Sequence, residues 1–181
     1  MNAEYKELLK ERNSFKRKIM FTGLLTKKLS GKEVQIIVVG GSAVEIYTVG
    51  HFSTGDIDLA VSDKKLTELQ LRNLGFEKVG MVWVSEQLGI AVHVLEGSYS
   101  GDYSRTRIFK IGKYSVRLAG VEDLIVNRLS AAKYWKGNVQ AELEQAKALL
   151  NVHERSITMD YLEELAKKNK VDDFLAQIMK S

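Results

Sequence analysis

The sequence predicts an α+β fold: a mixed, largely antiparallel sheet flanked by helices, followed by a C-terminal helical bundle. Three observations carry this. Strand-like segments are confined to residues 34–118. Helices do not alternate strictly with those strands, as a βαβ array would require. From Val121 onward every apolar pattern has the helical period. In chain order, Leu8, Leu9, Phe15, Ile19, Met20, Leu24 and Leu25 recur at near-helical spacing, which predicts one helix over residues 3–29, stopped by Ser30-Gly31. The apolar run Val34 to Val39 reads as a buried strand, and residues 42–47 as a short helix. A glycine-bounded loop over 50–55 leads to a second strand over 56–61. Residues 64–74 form a helix ended by Asn73 and Gly75. Extended segments follow at 76–79, 82–85 and 90–95, then a loop with Gly97 and Gly101. Residues 107–110 and 114–118 read as a hairpin around Gly112-Lys113. Helices are expected at 121–134, 138–150, 158–168 and 171–179. The expected division is a core over 1–120, including the N-terminal helix, with the helical segment 121–181 packed on it.

The 181 residues fit one domain with a helical appendage, and the 45% hydrophobic content suffices for a sizeable core. No apolar run approaches the ~20 residues of a membrane span, and no apolar leader follows Met1. There is no cysteine, which excludes disulfides and thiolate metal sites; a cytoplasmic location is the expectation. Net charge is +4, with basic residues concentrated at Lys10, Arg12, Lys16, Arg17, Lys18, Lys27 and Lys28. These read as the solvated face of an amphipathic helix. A surface for RNA or polyphosphate is the alternative, although no aromatic residues interleave the lysines as a stacking platform.

The chemistry concentrates in Val38-Val39-Gly40-Gly41-Ser42-Ala43 and Thr54-Gly55-Asp56-Ile57-Asp58-Leu59. Side chains alternate along a strand, so Asp56 and Asp58 share a face while Ile57 and Leu59 enter the core. Two neighbouring carboxylates repel unless a proton or cation lies between them, and a hard divalent ion such as Mg2+ fits that need. The glycine pair opens a helix whose bare N–H groups attract phosphate. The G-x-G-x-x-G spacing is absent, and no Gly-Lys-Ser/Thr follows, so neither a dinucleotide fold nor a P-loop is indicated.

Residues Val39 to Ala43, Tyr47, and Ser53 to Leu59 resemble the nucleotidyltransferase superfamily of the DNA polymerase β type, in particular its small prokaryotic members, including those of toxin–antitoxin systems. A second stretch supports the resemblance: Gly120 to Ile125, Arg128-Leu129, Ala131-Ala132, Trp135-Lys136 and Gln145-Ala146. It resembles the helical segment after the sheet in one uncharacterised branch. The resemblance implies that Gly40, Gly41 and Ser42 bind the triphosphate, and that Asp56 and Asp58 hold Mg2+ or Mn2+. It also implies a third acid on a neighbouring strand. The strand Ile90 to Glu96 carries His93 at that register, with Glu96 three residues on and on the opposite face unless a bulge turns it inward. His93 reads as a general base, as a ligand favouring Mn2+, or as a plain strand residue; Glu96 is the candidate carboxylate ligand. Asn127 stands where branch relatives more often carry an acid.

Arg128 reads as a phosphate clamp or as a surface arginine covering apolar neighbours. Tyr134 and Trp135 are expected to pack in the core, with base stacking as the alternative. Glu122 and Asp123 read as first-turn helix acids, and His51 and Ser53 as loop residues ahead of the acids. The implied function is metal-dependent transfer of a nucleoside monophosphate from a nucleoside triphosphate to a protein, RNA or small molecule. A catalytically impaired relative, sensing nucleotide or acting in a toxin–antitoxin-type complex, is the alternative. A monomer and a homodimer are both compatible with the sequence.

Overall fold

The computed structural model describes residues 3–135 and 137–180; Lys136, part of the second motif, lies outside the described residues. The chain enters through α1 (Ala3–Lys10) and α2 (Ser14–Leu29). The single helix expected over 3–29 is therefore interrupted. Asn13 is extended and its side chain accepts the Lys16 N–H at 2.9 Å, while Glu11 accepts the Asn13 N–H at 2.8 Å. An N-cap satisfies donors that a new helix leaves orphaned, and the apolar spacing runs on across the break.

Seven strands follow: β1 (Ile36–Val38), β2 (Ile57–Val61), β3 (Glu77–Val79), β4 (Val82–Ser85), β5 (Ile90–Val94), β6 (Arg107–Ile111) and β7 (Tyr114–Leu118). They form one sheet in the order β3-β4-β5-β2-β1-β7-β6. The pairs β1–β7 and β2–β5 are parallel and the remainder antiparallel, so the sheet is mixed and largely antiparallel, as expected. Helix α3 (Gly40–Tyr47) joins β1 to the loop before β2, and α4 (Lys64–Asn73), capped by Asp63, joins β2 to β3. The expected hairpin is β6–β7.

After β7 the chain is helical: α5 (Val121–Tyr134), α6 (Val139–His153), α7 (Met159–Lys168) and α8 (Asp172–Lys180). Helix α6 outruns the predicted 138–150 because His153 stacks edge-on against Tyr47, at 4.9 Å between ring centroids. Helix α2 packs on β7 and α4, and α3 touches α5 and α6, which joins the sheet to the C-terminal helices. Phe21, Leu24, Leu25, Leu59, Leu71, Leu118, Ile125 and Leu129 are fully buried. Each such side chain contributes roughly 1.5–3 kcal/mol of transfer free energy. The Tyr47 hydroxyl donates to the Ala119 carbonyl at 2.8 Å inside this core, which fixes α3 to the β7–α5 junction. No helix among the described residues is long and apolar enough to cross a membrane.

Candidate active site

The central strands end beside one another and deliver the site. Val39 N–H donates to the Asp58 carbonyl at 3.0 Å, extending the antiparallel β1–β2 ladder past its last strand residue. The chain then turns at Gly40, with φ of +59°. A Cβ at Gly40 would lie 2.5 Å from Asp58 Oδ2, so glycine permits both the left-handed turn and the close approach of the carboxylate. The turn runs directly into α3, two residues earlier than the sequence predicts. The N–H groups of Gly40, Gly41 and Ser42 therefore open that helix without partners in it.

Ser42 is used differently from the expectation. Its hydroxyl donates to the Val39 carbonyl at 2.9 Å and accepts the Asp58 N–H at 3.0 Å. It pins the glycine turn to β2 instead of facing the cavity with a free hydroxyl.

The loop before β2 is held from below. Lys18 of α2 forms an ion pair with Glu45 of α3 and donates to the Thr54 carbonyl at 2.9 Å. The Thr54 hydroxyl lies between the Asp56 carbonyl, at 2.9 Å, and Glu45, at 3.1 Å. The Lys18 and Glu45 side chains are 14% and 5% exposed, so this pair is nearly out of solvent.

Asp56 precedes β2 and Asp58 lies within it; Ile57 and Leu59 between and beyond them are buried, as the period-two reading requires. In the parallel β2–β5 register Asp58 stands opposite His93, and His93 Nδ1 lies 3.3 Å from Asp58 Oδ1. One ligand atom from each of Asp56, Asp58 and His93 lies within 4.8 Å of the others. Among the described residues neither aspartate is ion-paired with lysine or arginine. Burial, and then the Asp56 charge, push the Asp58 carboxyl above its ordinary range, against the opposing pull of His93 and Arg128. Two carboxylates and an imidazole with unmet negative charge fit a divalent cation.

Glu96 is not brought into this group. It is exposed and ion-paired with Lys64 at 2.7 Å, beyond the end of β5, where no bulge turns it inward. Arg128 is buried, with Nη1 3.2 Å from Glu142 and Nη2 donating to Asn127 Oδ1 at 2.6 Å. It is therefore not a surface arginine, and its charge reaches Asp58. His51 and Ser53 are exposed.

A cavity of about 770 Å3 is lined by Gly40, Gly41, Asp58, His93, Arg128 and Trp135 among others. Its other wall is a polar knot that the sequence did not reveal. Asp123 accepts from the Tyr99 hydroxyl at 2.6 Å and the Tyr161 hydroxyl at 3.1 Å, and Gly120 N–H donates to Tyr99. Buried Glu122 accepts the Thr158 N–H at 3.0 Å. These first-turn acids thus tie the 97–106 loop and α7 to α5. Tyr99 lies in a loop, where periodicity carries no signal. Tyr134 and Trp135, expected in the core, are both exposed, because α5 ends there and α6 turns away.

No family model and no curated protein matches the chain. Solved structures do. A nucleotidyltransferase-like protein from Paracoccidioides brasiliensis is 15% identical with a TM-score of 0.60, over 88% of this chain and 90% of that one. ANT(2″)-Ia in complex with adenylyl-2″-tobramycin is 13% identical with a TM-score of 0.58, over 84% and 96%. The solution structure of the antibiotic-resistance factor ANT(2″)-Ia is 14% identical with a TM-score of 0.53, over 90% and 100%. The chain has the nucleotidyltransferase fold.

Proposed function

We propose that this protein is a divalent-metal-dependent nucleotidyltransferase that moves a nucleoside monophosphate from a nucleoside triphosphate to a hydroxyl or amine of an acceptor: a protein, RNA or small molecule. The observation that carries the reading is the gathering of Asp56, Asp58 and His93 beside a glycine-opened helix, at one end of a cavity of nucleotide size. In the transfer, the acceptor atom bonds to the α-phosphorus, the bond to the β-phosphate oxygen breaks, and pyrophosphate leaves. A divalent ion, when bound, supplies charge neutralisation on the transferring phosphoryl group. Asp56 and Asp58 would hold it, with His93 as third ligand; imidazole suits Mn2+ better than Mg2+. The N–H groups of Gly40, Gly41 and Ser42 hold phosphate oxygens. Arg128 adds positive charge at the same end of the cavity. Where the aspartates alone hold the ion, His93 instead donates through Nδ1 to Asp58 and its Nε2 lone pair takes the acceptor's proton.

Calorimetry with nucleoside triphosphates and Mg2+ or Mn2+ tests this. Asp56→Ala combined with Asp58→Ala abolishes metal-dependent binding; unchanged binding contradicts the reading. One observation favours a second reading, a catalytically impaired nucleotide-binding module: His93 occupies the register where the superfamily resemblance implies an acid. Tight triphosphate binding by the unmodified protein, with no pyrophosphate release across protein, RNA and small-molecule acceptors, selects that reading.

A further inference from the structure

Trp135 has no evident structural use. The chain has two tryptophans. Trp83 is buried and donates to Glu68, whereas Trp135 is 64% exposed and its indole makes no ring or cation–π contact among the described residues. An indole left 64% exposed forgoes much of the burial that ordinarily places tryptophan in a fold. Yet its position is fixed by the residues before it. Lys133 donates to the Lys170 carbonyl at 2.7 Å and to Asp173 at 2.9 Å. The Tyr134 hydroxyl donates to the Asn169 and Lys170 carbonyls at 3.2 and 3.3 Å, and Trp135 N–H closes on the Ala131 carbonyl at 3.0 Å. The end of α5 is stitched to the α7–α8 turn, and the ring is left free at the cavity that also holds Gly40, Asp58 and His93.

Resting on the nucleotidyltransferase reading, we infer that Trp135 is the platform on which the base of the bound nucleotide stacks. Trp135 caps the C-terminus of α5 seven positions after Arg128, roughly 10 Å further along the helix axis. That spacing suits a nucleotide lying along α5, phosphates toward Arg128 and the glycine turn, base toward the indole. Stacking on an aromatic face accepts any base, because every base has a π-face.

The experiment compares ATP, GTP and UTP with inorganic tripolyphosphate, all with Mn2+, by calorimetry and tryptophan fluorescence. The nucleotides quench the exposed indole's emission on binding, and tripolyphosphate binds without quenching. Trp135→Ala weakens the nucleotides about 10- to 100-fold, toward the tripolyphosphate affinity, and leaves tripolyphosphate unchanged; Trp135→Phe retains most of the nucleotide affinity. Nucleotides that bind the protein and its Trp135→Ala variant equally, or bind without quenching, overturn the inference while the transferase reading stands. Failure of both nucleotides and tripolyphosphate to bind overturns both.

Discussion

Replacing Lys18 with methionine isolates the support beneath the loop that carries Asp56. The Lys18 and Glu45 side chains are 14% and 5% exposed, so their attraction is little screened by solvent. Lys18→Met keeps most of the side-chain volume but removes the ammonium, leaving the Glu45 carboxylate buried with only the Thr54 hydroxyl near it. Stranding one member of a buried pair costs about 3–5 kcal/mol. In a chain of this size each kcal/mol lowers the melting temperature by about 2–4 °C, so the expected drop is roughly 6–20 °C. Thermal melts by circular dichroism and urea titrations measure it. The double variant Lys18→Met/Glu45→Leu recovers at least half the loss, because no uncompensated charge remains and Thr54 still has the Asp56 carbonyl to donate to. At temperatures far below the melt, Lys18→Met also weakens Mn2+ binding, since the Thr54 carbonyl loses its donor and the loop carrying Asp56 loosens. A single-variant loss below about 1 kcal/mol, the size expected of a solvent-exposed pair, refutes the reasoning, as does a double variant no more stable than the single.

Gly40→Ala forces a Cβ to within 2.5 Å of Asp58 Oδ2 at a left-handed backbone position; a loss of about 1–3 kcal/mol in urea titration, with weakened Mn2+ affinity by calorimetry, is expected. Gly31→Ala, which meets nothing within 4 Å, changes neither measurement. Burial holds the His153 imidazole below its ordinary value, so the unfolded chain takes up its proton first as pH falls. That contribution to stability is complete above the ordinary value of 6.5 and is lost as pH falls through the depressed one. Urea titrations from pH 8 to 5 therefore show the protein losing stability more steeply than a His153→Phe variant; parallel curves would sink this assignment.

What was legible in the sequence is local. Period-two alternation placed Asp56 and Asp58 on one face because a strand's geometry allows nothing else, and the buried Ile57 and Leu59 follow from the same rule. The strands and the C-terminal helices declared themselves through runs and periods of apolar residues. The break at Asn13 escaped, because apolar spacing continues across it while the interruption depends on where one amide and one carboxylate point. Ser42 and Arg128 were visible as residue types. That the Ser42 hydroxyl ties Val39, just past β1, to Asp58 of β2, and that Arg128 is buried against Asn127 and Glu142, rests on Asp58 16 positions and Glu142 14 positions away.

The sequence by itself determined the α+β layout, the aspartate pair and the glycine turn, because each is written in residues a few positions apart. Only the tertiary structure decided which side chain stands beside the aspartate pair. The parallel β2–β5 register sets His93 opposite Asp58 and leaves Glu96 to Lys64. It likewise left Trp135 bare at the cavity and gathered Tyr99, Asp123 and Tyr161 from separate segments. Such pairings are fixed by strand register and helix docking, which depend on how the whole core packs and which no short stretch of sequence encodes.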